Sequence, residues 1–221
     1  MPPAIFIAGA TGYVGRTLAE GLLERGHTVH ALARPGSEHK VTPGCRIVSG
    51  DALDPATFTV PAGSTLVHLI GVAKPAPWKE KEFHAVDLVS VQAMVKAAVR
   101  DGVRHIVYVS VAQPAPIMKA YIRVRSECER LIRATGIPAT ILRPWYVLGP
   151  GHWWPAAVLP LYWLLERLPP TRDAARRLGL VSWHQMRKAL VGSVENPGSG
   201  VQVLEVPSIR KLLLKNNYVQ T

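Results

Sequence analysis

Ile5-Phe6-Ile7-Ala8-Gly9-Ala10-Thr11-Gly12-Tyr13-Val14-Gly15 is the stretch on which the reading of this 221-residue chain turns. An apolar run meets glycines at every third position, and an amphipathic segment then continues to Arg25 and stops at Gly26. The pattern predicts a buried strand, a tight turn and a helix over residues 13–25. Gly9 suits the turn, Gly12 lets an anionic group approach the backbone, and Gly15 lets the new helix lie close to the strand. Free amides at such a helix start favour a phosphate. Thr11, Tyr13 and Val14 belong to the same turn and join the glycines as candidate contacts. The bland alternative is a turn that has lost its ligand. A nucleoside-triphosphate loop fits worse, because Gly15-Arg16-Thr17 lacks the lysine after the glycine.

Working outward, apolar runs at residues 28–33, 46–48, 66–70, 105–110 and 138–142 predict five further strands. Helical patterns at 82–100 and 119–135 separate the later ones, the first with Val86, Val89, Ala93, Ala97 and Val99 as its apolar positions. This alternation predicts an α/β fold: a doubly wound, mostly parallel Rossmann sheet. Residues 1–150 form the expected core. Residues 151–221 form the expected small C-terminal extension, packed on the same domain, with helices near 156–167 and 183–194 and a late strand at 201–206.

Ligands of such sheets lie beyond the carboxyl ends of the strands, which directs attention to Gly71, Ser110 and Pro144. At the end of the second strand stands Arg34, where a carboxylate would suit the ribose hydroxyls of NAD and a cation suits a 2′-phosphate. Arg34 therefore favours NADP(H), with NAD(H) as the alternative. Asp51, with Ala52 beside it, is placed to face an adenine, although an exposed turn aspartate reads the same way.

The composition narrows the classes. Of 26 cationic and 15 anionic residues, the segment 119–221 carries 15 and 6, so the excess charge of +11 lies mainly in the second half. No zinc-finger spacing or aromatic-basic repeat accompanies it, which argues against nucleic acid. The two cysteines, Cys45 and Cys128, have no partner at a metal-site or redox-motif spacing. The first ten residues lack the form of a cleavable leader, and no apolar run is long enough to span a bilayer, so the expected location is the cytoplasm. The aromatic stretch 151–168, with Trp153, Trp154, Tyr162 and Trp163, is open to three readings. They are an apolar substrate lining, a sheet cover or homodimer interface, and a peripheral membrane contact supported by nearby arginines.

With the glycine turn, Arg34, Ser110, Tyr121 and Arg143-Pro144 in hand, the chain resembles the short-chain dehydrogenase/reductase superfamily. It looks closest to the atypical or extended branch, related to nucleoside-diphosphate-sugar epimerases and complex I accessory-subunit proteins. The turn matches the branch's G-x-x-G-x-x-G form, and the resemblance covers about residues 4–150. It implies a serine, tyrosine and lysine trio, placing Ser110 in the serine role and Tyr121 in the tyrosine role. The lysine position holds Arg125, a departure, since a planar guanidinium does not replace an ammonium. The resemblance also puts Ile70 and Gly71 on the nicotinamide side and Pro144 on the loop closing it. Tyr121 is either a proton donor or a cofactor contact. Three functions follow as expectations: an NADP(H)-preferring oxidoreductase of a small, apolar carbonyl or alcohol; a noncatalytic redox sensor or assembly protein; and a nucleotide-sugar epimerase or dehydratase.

Overall fold

The computed structural model describes residues 3–149 and 172–211. Its frame is a seven-stranded, wholly parallel sheet. The strands are β1 (Ile5–Ala8), β2 (Val29–Ala33), β3 (Arg46–Ser49), β4 (Thr65–His68), β5 (His105–Val109), β6 (Ala139–Arg143) and, later in the chain, β9 (Val201–Glu205). They lie in the order β3-β2-β1-β4-β5-β6-β9. The chain reverses its direction across the sheet at the crossover from β3 to β4, which makes the carboxyl end of β1 the switch point where a ligand crevice opens.

Both faces of the sheet are covered. Helix α1 (Tyr13–Leu23) and helix α6 (Trp183–Glu195) bury Leu18, Leu22, Met186 and Leu190 against Ile5 and Ile7 on one side. A short helix α2 (Glu80–Glu82), a π-helical turn over Phe83–Leu88, helix α3 (Val89–Arg100) and helix α4 (Lys119–Ala134) cover the other. There Phe83, Met94, Val124 and Ile132 meet Phe6, Leu66 and Tyr108. Helix α6 starts with a reciprocal capping box between Ser182 and Gln185, which satisfies donors that a bare helix end would leave open.

The C-terminal described residues extend this same sheet. Strand β9 pairs with β6 in parallel, from Ala139↔Val201 to Arg143↔Glu205. A separate two-stranded element joins β7 (Tyr146–Leu148) to β8 (Leu180–Ser182), and short helices α5 (Arg172–Arg177) and α7 (Val206–Lys211) flank it.

Several expected boundaries shift for physical reasons. The fourth strand ends at His68 rather than at residue 70, because its neighbour β1 stops at Ala8 where Gly9 turns at φ +92°. Residues 69–71 are thereby released into the crevice. The helix expected over 82–100 starts at Glu80 and contains the π-helical turn. In and just after that turn Phe83, Asp87, Ser90 and Val91 are buried; of the expected apolar positions Ala93 and Ala97 are buried, Val86 and Val89 are half-buried, and Val99, in the last turn of α3, is 60% exposed. Ile5–Ala8 needed no correction, its alternation of faces being irrelevant to a strand covered on both sides. The helix expected near 156–167, and the whole 151–168 aromatic stretch, lie outside the described residues.

Candidate functional site

The site begins at the glycine turn. Gly15 is packed so closely that an added Cβ would strike the Gly9 carbonyl oxygen and lie 2.7 Å from Ala10 Cα, so no side chain fits there. Gly12 is the opposite case: a Cβ would have Gly9 oxygen as its sole near neighbour, at 3.4 Å, and would otherwise project into open space. Gly12 also caps α1 without a side-chain bond, and the first turn of that helix holds no acidic residue. The leading amides of α1 thus face open space with partial positive charge, the arrangement an anion needs.

Three adjoining clefts follow the carboxyl edge of the sheet. The first, about 410 Å³, is bounded by Gly9, Thr11 and Gly12, by Arg34 and Ser37, and by Asp51, Ala52, Ile70 and Gly71. The second, about 450 Å³, passes Tyr13, Val14 and Gly15 and reaches Lys74, Val147 and Trp183. Tyr13 and Trp183 form one of its walls, their ring centroids 5.0 Å apart. The third, about 200 Å³, is lined by Val14, Ile70, Gly71, Val109, Arg125 and Met186. The carboxylate of Asp51 accepts the Leu53 amide at 3.0 Å, so it orders the turn after β3 in addition to facing the first cleft. These residues fit a dinucleotide: an open glycine at a helix start for the phosphates, and a cation with no carboxylate at the end of β2.

The trio expected at the reacting end is differently arranged. Arg125 is buried and forms an ion pair with Asp87 at 2.5 Å, while its other amino group donates to Tyr108 Oη and the Val109 carbonyl, both at 3.0 Å. Asp87 in turn accepts the Val72 amide at 3.0 Å. The pair thereby ties α4, the π-helical turn, β5 and the loop after β4 together directly beneath Gly71, where an added Cβ would collide with the guanidinium. Burial opposes charge on both partners and pushes the Asp87 carboxyl up, more than Arg125 pulls it down, while the Arg125 guanidinium stays protonated.

Tyr121 shares a helix face with Arg125, whose guanidinium carbon lies 5.1 Å from its ring centroid, and its other contact is Phe83 at 4.8 Å. Burial pushes the Tyr121 phenol up, more than Arg125 pulls it down, so it is a neutral hydroxyl at neutral pH. Ser110 is buried and donates to Glu129 at 2.6 Å. Its proton is therefore committed to a carboxylate. Pro144 is buried and its carbonyl accepts the Ala112 amide at 3.0 Å. Ser110, Tyr121 and Pro144 line none of the three clefts.

Glu129 was not a candidate from the sequence, yet it is the hub of this region. Besides Ser110 it accepts Gln113 at 3.0 Å and two bonds from Arg143, at 2.9 and 2.6 Å. Arg143 continues to Glu205 at 2.9 Å. The network fastens the ends of β5, β6 and β9 to α4. Burial works against the Glu129 charge, but the bonds from Arg143 and Ser110 hold its carboxyl below the ordinary range. A depressed folded-state pKa gives stability that is present above the unfolded value of about 4.3 and lost as pH falls through the folded one. The stability gap between the wild type and Glu129→Gln, measured by denaturant unfolding, is therefore expected to be full at neutral pH and to shrink below about pH 4. A gap that stays constant across that range would contradict the assignment.

Among the histidines, His68 and His105 are buried and bonded to Ser90 and Thr140, each at 3.1 Å, and burial lowers His68 to about 3. Both are packing residues. Among the described residues no cluster of histidine, cysteine and carboxylate could hold a metal.

Residues 9–149 match the model of a protein family described as NAD(P)H-binding. The chain belongs to that family. Its Rossmann fold is also that of solved short-chain dehydrogenase/reductase and nucleotide-sugar epimerase structures. It is 26% identical to a ceramide reductase of Caulobacter vibrioides over 213 residues, covering 94% of this chain and 65% of the relative. It is also 26% identical to a 3-diazoavenalumate denitrifying reductase of a Streptomyces species over 175 residues, covering 66% and 57%. The chain thus spans less than two thirds of the length of either relative. The Bordetella bronchiseptica enzyme WbmH, solved with NAD+, superposes with a TM-score of 0.65 at 20% identity, covering 92% of this chain and 75% of that one.

Proposed function

We propose that the protein is an NADP(H)-preferring reductase that delivers a proton from Tyr121 to the carbonyl oxygen of a small, apolar substrate. The observation that carries the reading is Arg34, which borders the first cleft directly after β2 with the Ser37 hydroxyl beside it, while the carboxylate of that cleft, Asp51, comes from the turn after β3 and is engaged by the Leu53 amide. A guanidinium there suits a 2′-phosphate through paired, charge-assisted hydrogen bonds. A reduced nicotinamide bound along this edge would supply the hydride. The protein's task is then to hold the carbonyl and protonate its oxygen. Tyr121 suits that role as the hydroxyl beside Arg125, since Ser110 is already bound to Glu129. The Tyr121 phenol, held protonated at neutral pH, is in the form that can give a proton. The apolar walls of the second and third clefts, and two relatives named as reductases, one for ceramide, support an apolar substrate.

One observation favours a second reading. Arg125 is engaged by Asp87, and neither Ser110 nor Tyr121 lines a cleft, which suits a noncatalytic cofactor-binding sensor or assembly protein. Screening apolar aldehydes and ketones for NADPH oxidation separates the two. The reductase reading expects turnover that falls about 100-fold or more in Tyr121→Phe with cofactor affinity unchanged. Tight NADPH binding without turnover on any carbonyl, or a Tyr121→Phe variant as fast as wild type, would reject Tyr121 as the proton donor.

A further inference from the structure

Two apolar side chains stand out from the edge of the sheet that bears the clefts. Trp78, in the loop after β4, is 83% exposed, and Ile117, in the loop after β5, is 60% exposed. The segments that follow the two loops pack together: Glu80, two residues after Trp78, pairs with Arg123 of α4 at 3.5 Å, and the Phe83 ring lies tilted against Tyr121 of α4. Prolines 75, 77, 114 and 116 restrict the backbone on both loops, so the tips are presented with little freedom to fold back. Around them residues 73–82 and 113–123 carry Lys74, Lys79, Lys81, Lys119 and Arg123 against only Glu80 and Glu82, and each of those carboxylates already faces a cation. Arg177 adds to this side, donating to the Pro114 carbonyl at 3.2 Å.

We infer that this edge docks on an anionic lipid bilayer, with Trp78 and Ile117 entering the interface and the surrounding cations facing the headgroups. A tryptophan and an aliphatic side chain on one cationic face have the composition of an interfacial contact, in which apolar burial and attraction to negative lipid act together. A protein partner would be selected for shape around a concave or flat patch; here the apolar groups are two projecting tips within a cationic field, which suits a fluid surface. The same loop that carries Trp78 contributes Ala73 and Lys74 to the second cleft, so docking would turn that cleft towards the membrane. The inference is independent of the reductase reading.

The test is sedimentation of the full chain with phosphatidylcholine vesicles, with and without phosphatidylglycerol. Binding is expected only with the anionic lipid and is expected to weaken with salt. Trp78→Ser combined with Ile117→Ser is expected to weaken it at least about tenfold. Lys81→Glu combined with Lys119→Glu is expected to do the same. All four positions except Ile117 and Trp78 are polar, and all are exposed, so an unchanged thermal transition shows that each variant is folded. No binding by wild type, or binding that persists unchanged in the folded Trp78/Ile117 variant, would overturn the inference. So would a shift from dimer to monomer in that variant with vesicle binding retained, which would make the patch a self-association surface.

Discussion

Asp87→Ala is expected to lower the unfolding free energy by about 3–5 kcal/mol, because it leaves the Arg125 guanidinium buried without its counter-charge. The side chain of Asp87 is wholly buried and that of Arg125 is 7% exposed, so water cannot replace the lost partner. The loss also frees the Val72 amide, which Asp87 accepts, and so loosens the loop after β4 beneath the third cleft. Removing both charges is a different matter: Asp87→Leu combined with Arg125→Met exchanges an ion pair for apolar packing, and this is often neutral or stabilising in a buried setting. The double variant is therefore expected to regain most of the loss. Denaturant unfolding of Asp87→Leu, Arg125→Met and the double variant measures the coupling directly, and additive single-site costs would show that the two residues do not act as a pair.

The glycine turn yields the second large effect, through a contrast between neighbouring positions. Gly15→Ala is expected to destabilise the fold by about 3 kcal/mol, at the upper end for overpacking, since the new methyl group meets the Gly9–Ala10 backbone, which cannot move aside as a side chain could. Gly12→Ala is expected to change stability by less than about 1 kcal/mol, as its methyl group would project into open space. That open space is where a phosphate would approach. Gly12→Ala is therefore expected to lose about tenfold or more in dinucleotide affinity, from the blocking of charge-assisted bonds to the helix start. Thermal melting and cofactor titration of both variants check the contrast; a stable Gly15→Ala protein, or a Gly12→Ala protein that binds normally, would contradict the geometry.

Much of this fold could be read from the chain. The strand, turn and helix over residues 5–23 depend on local choices, apolar runs and glycines, that report their own conformation. Strands β5 and β6 are similarly explicit. The buried carboxylates were less visible, because Asp87 and Glu129 sit on helices among other charged residues and acquire their roles only when the sheet brings Arg125 and Arg143 to them. A signal for Asp87 did exist: it falls four residues after Phe83 and four before Val91, both apolar, and a carboxylate between them on a buried face requires a buried cation. The π-helical turn obscured it by disturbing the helical period on which the inward positions were judged. The β7–β8 pair escaped notice because three-residue strands leave no periodic trace. Arg125 at the expected lysine position was legible as a departure, but its engagement by Asp87 required the fold.

The proposed selection of a 2′-phosphate by Arg34 at the end of β2 is tested by titrating the full chain with NADPH and NADH while following reduced-nicotinamide fluorescence. NADPH is expected to bind at least about tenfold more tightly than NADH, with the preference abolished in Arg34→Ala and NADH affinity nearly unchanged. Equal affinity for both cofactors, or a preference for NADPH that survives the loss of Arg34, would contradict it.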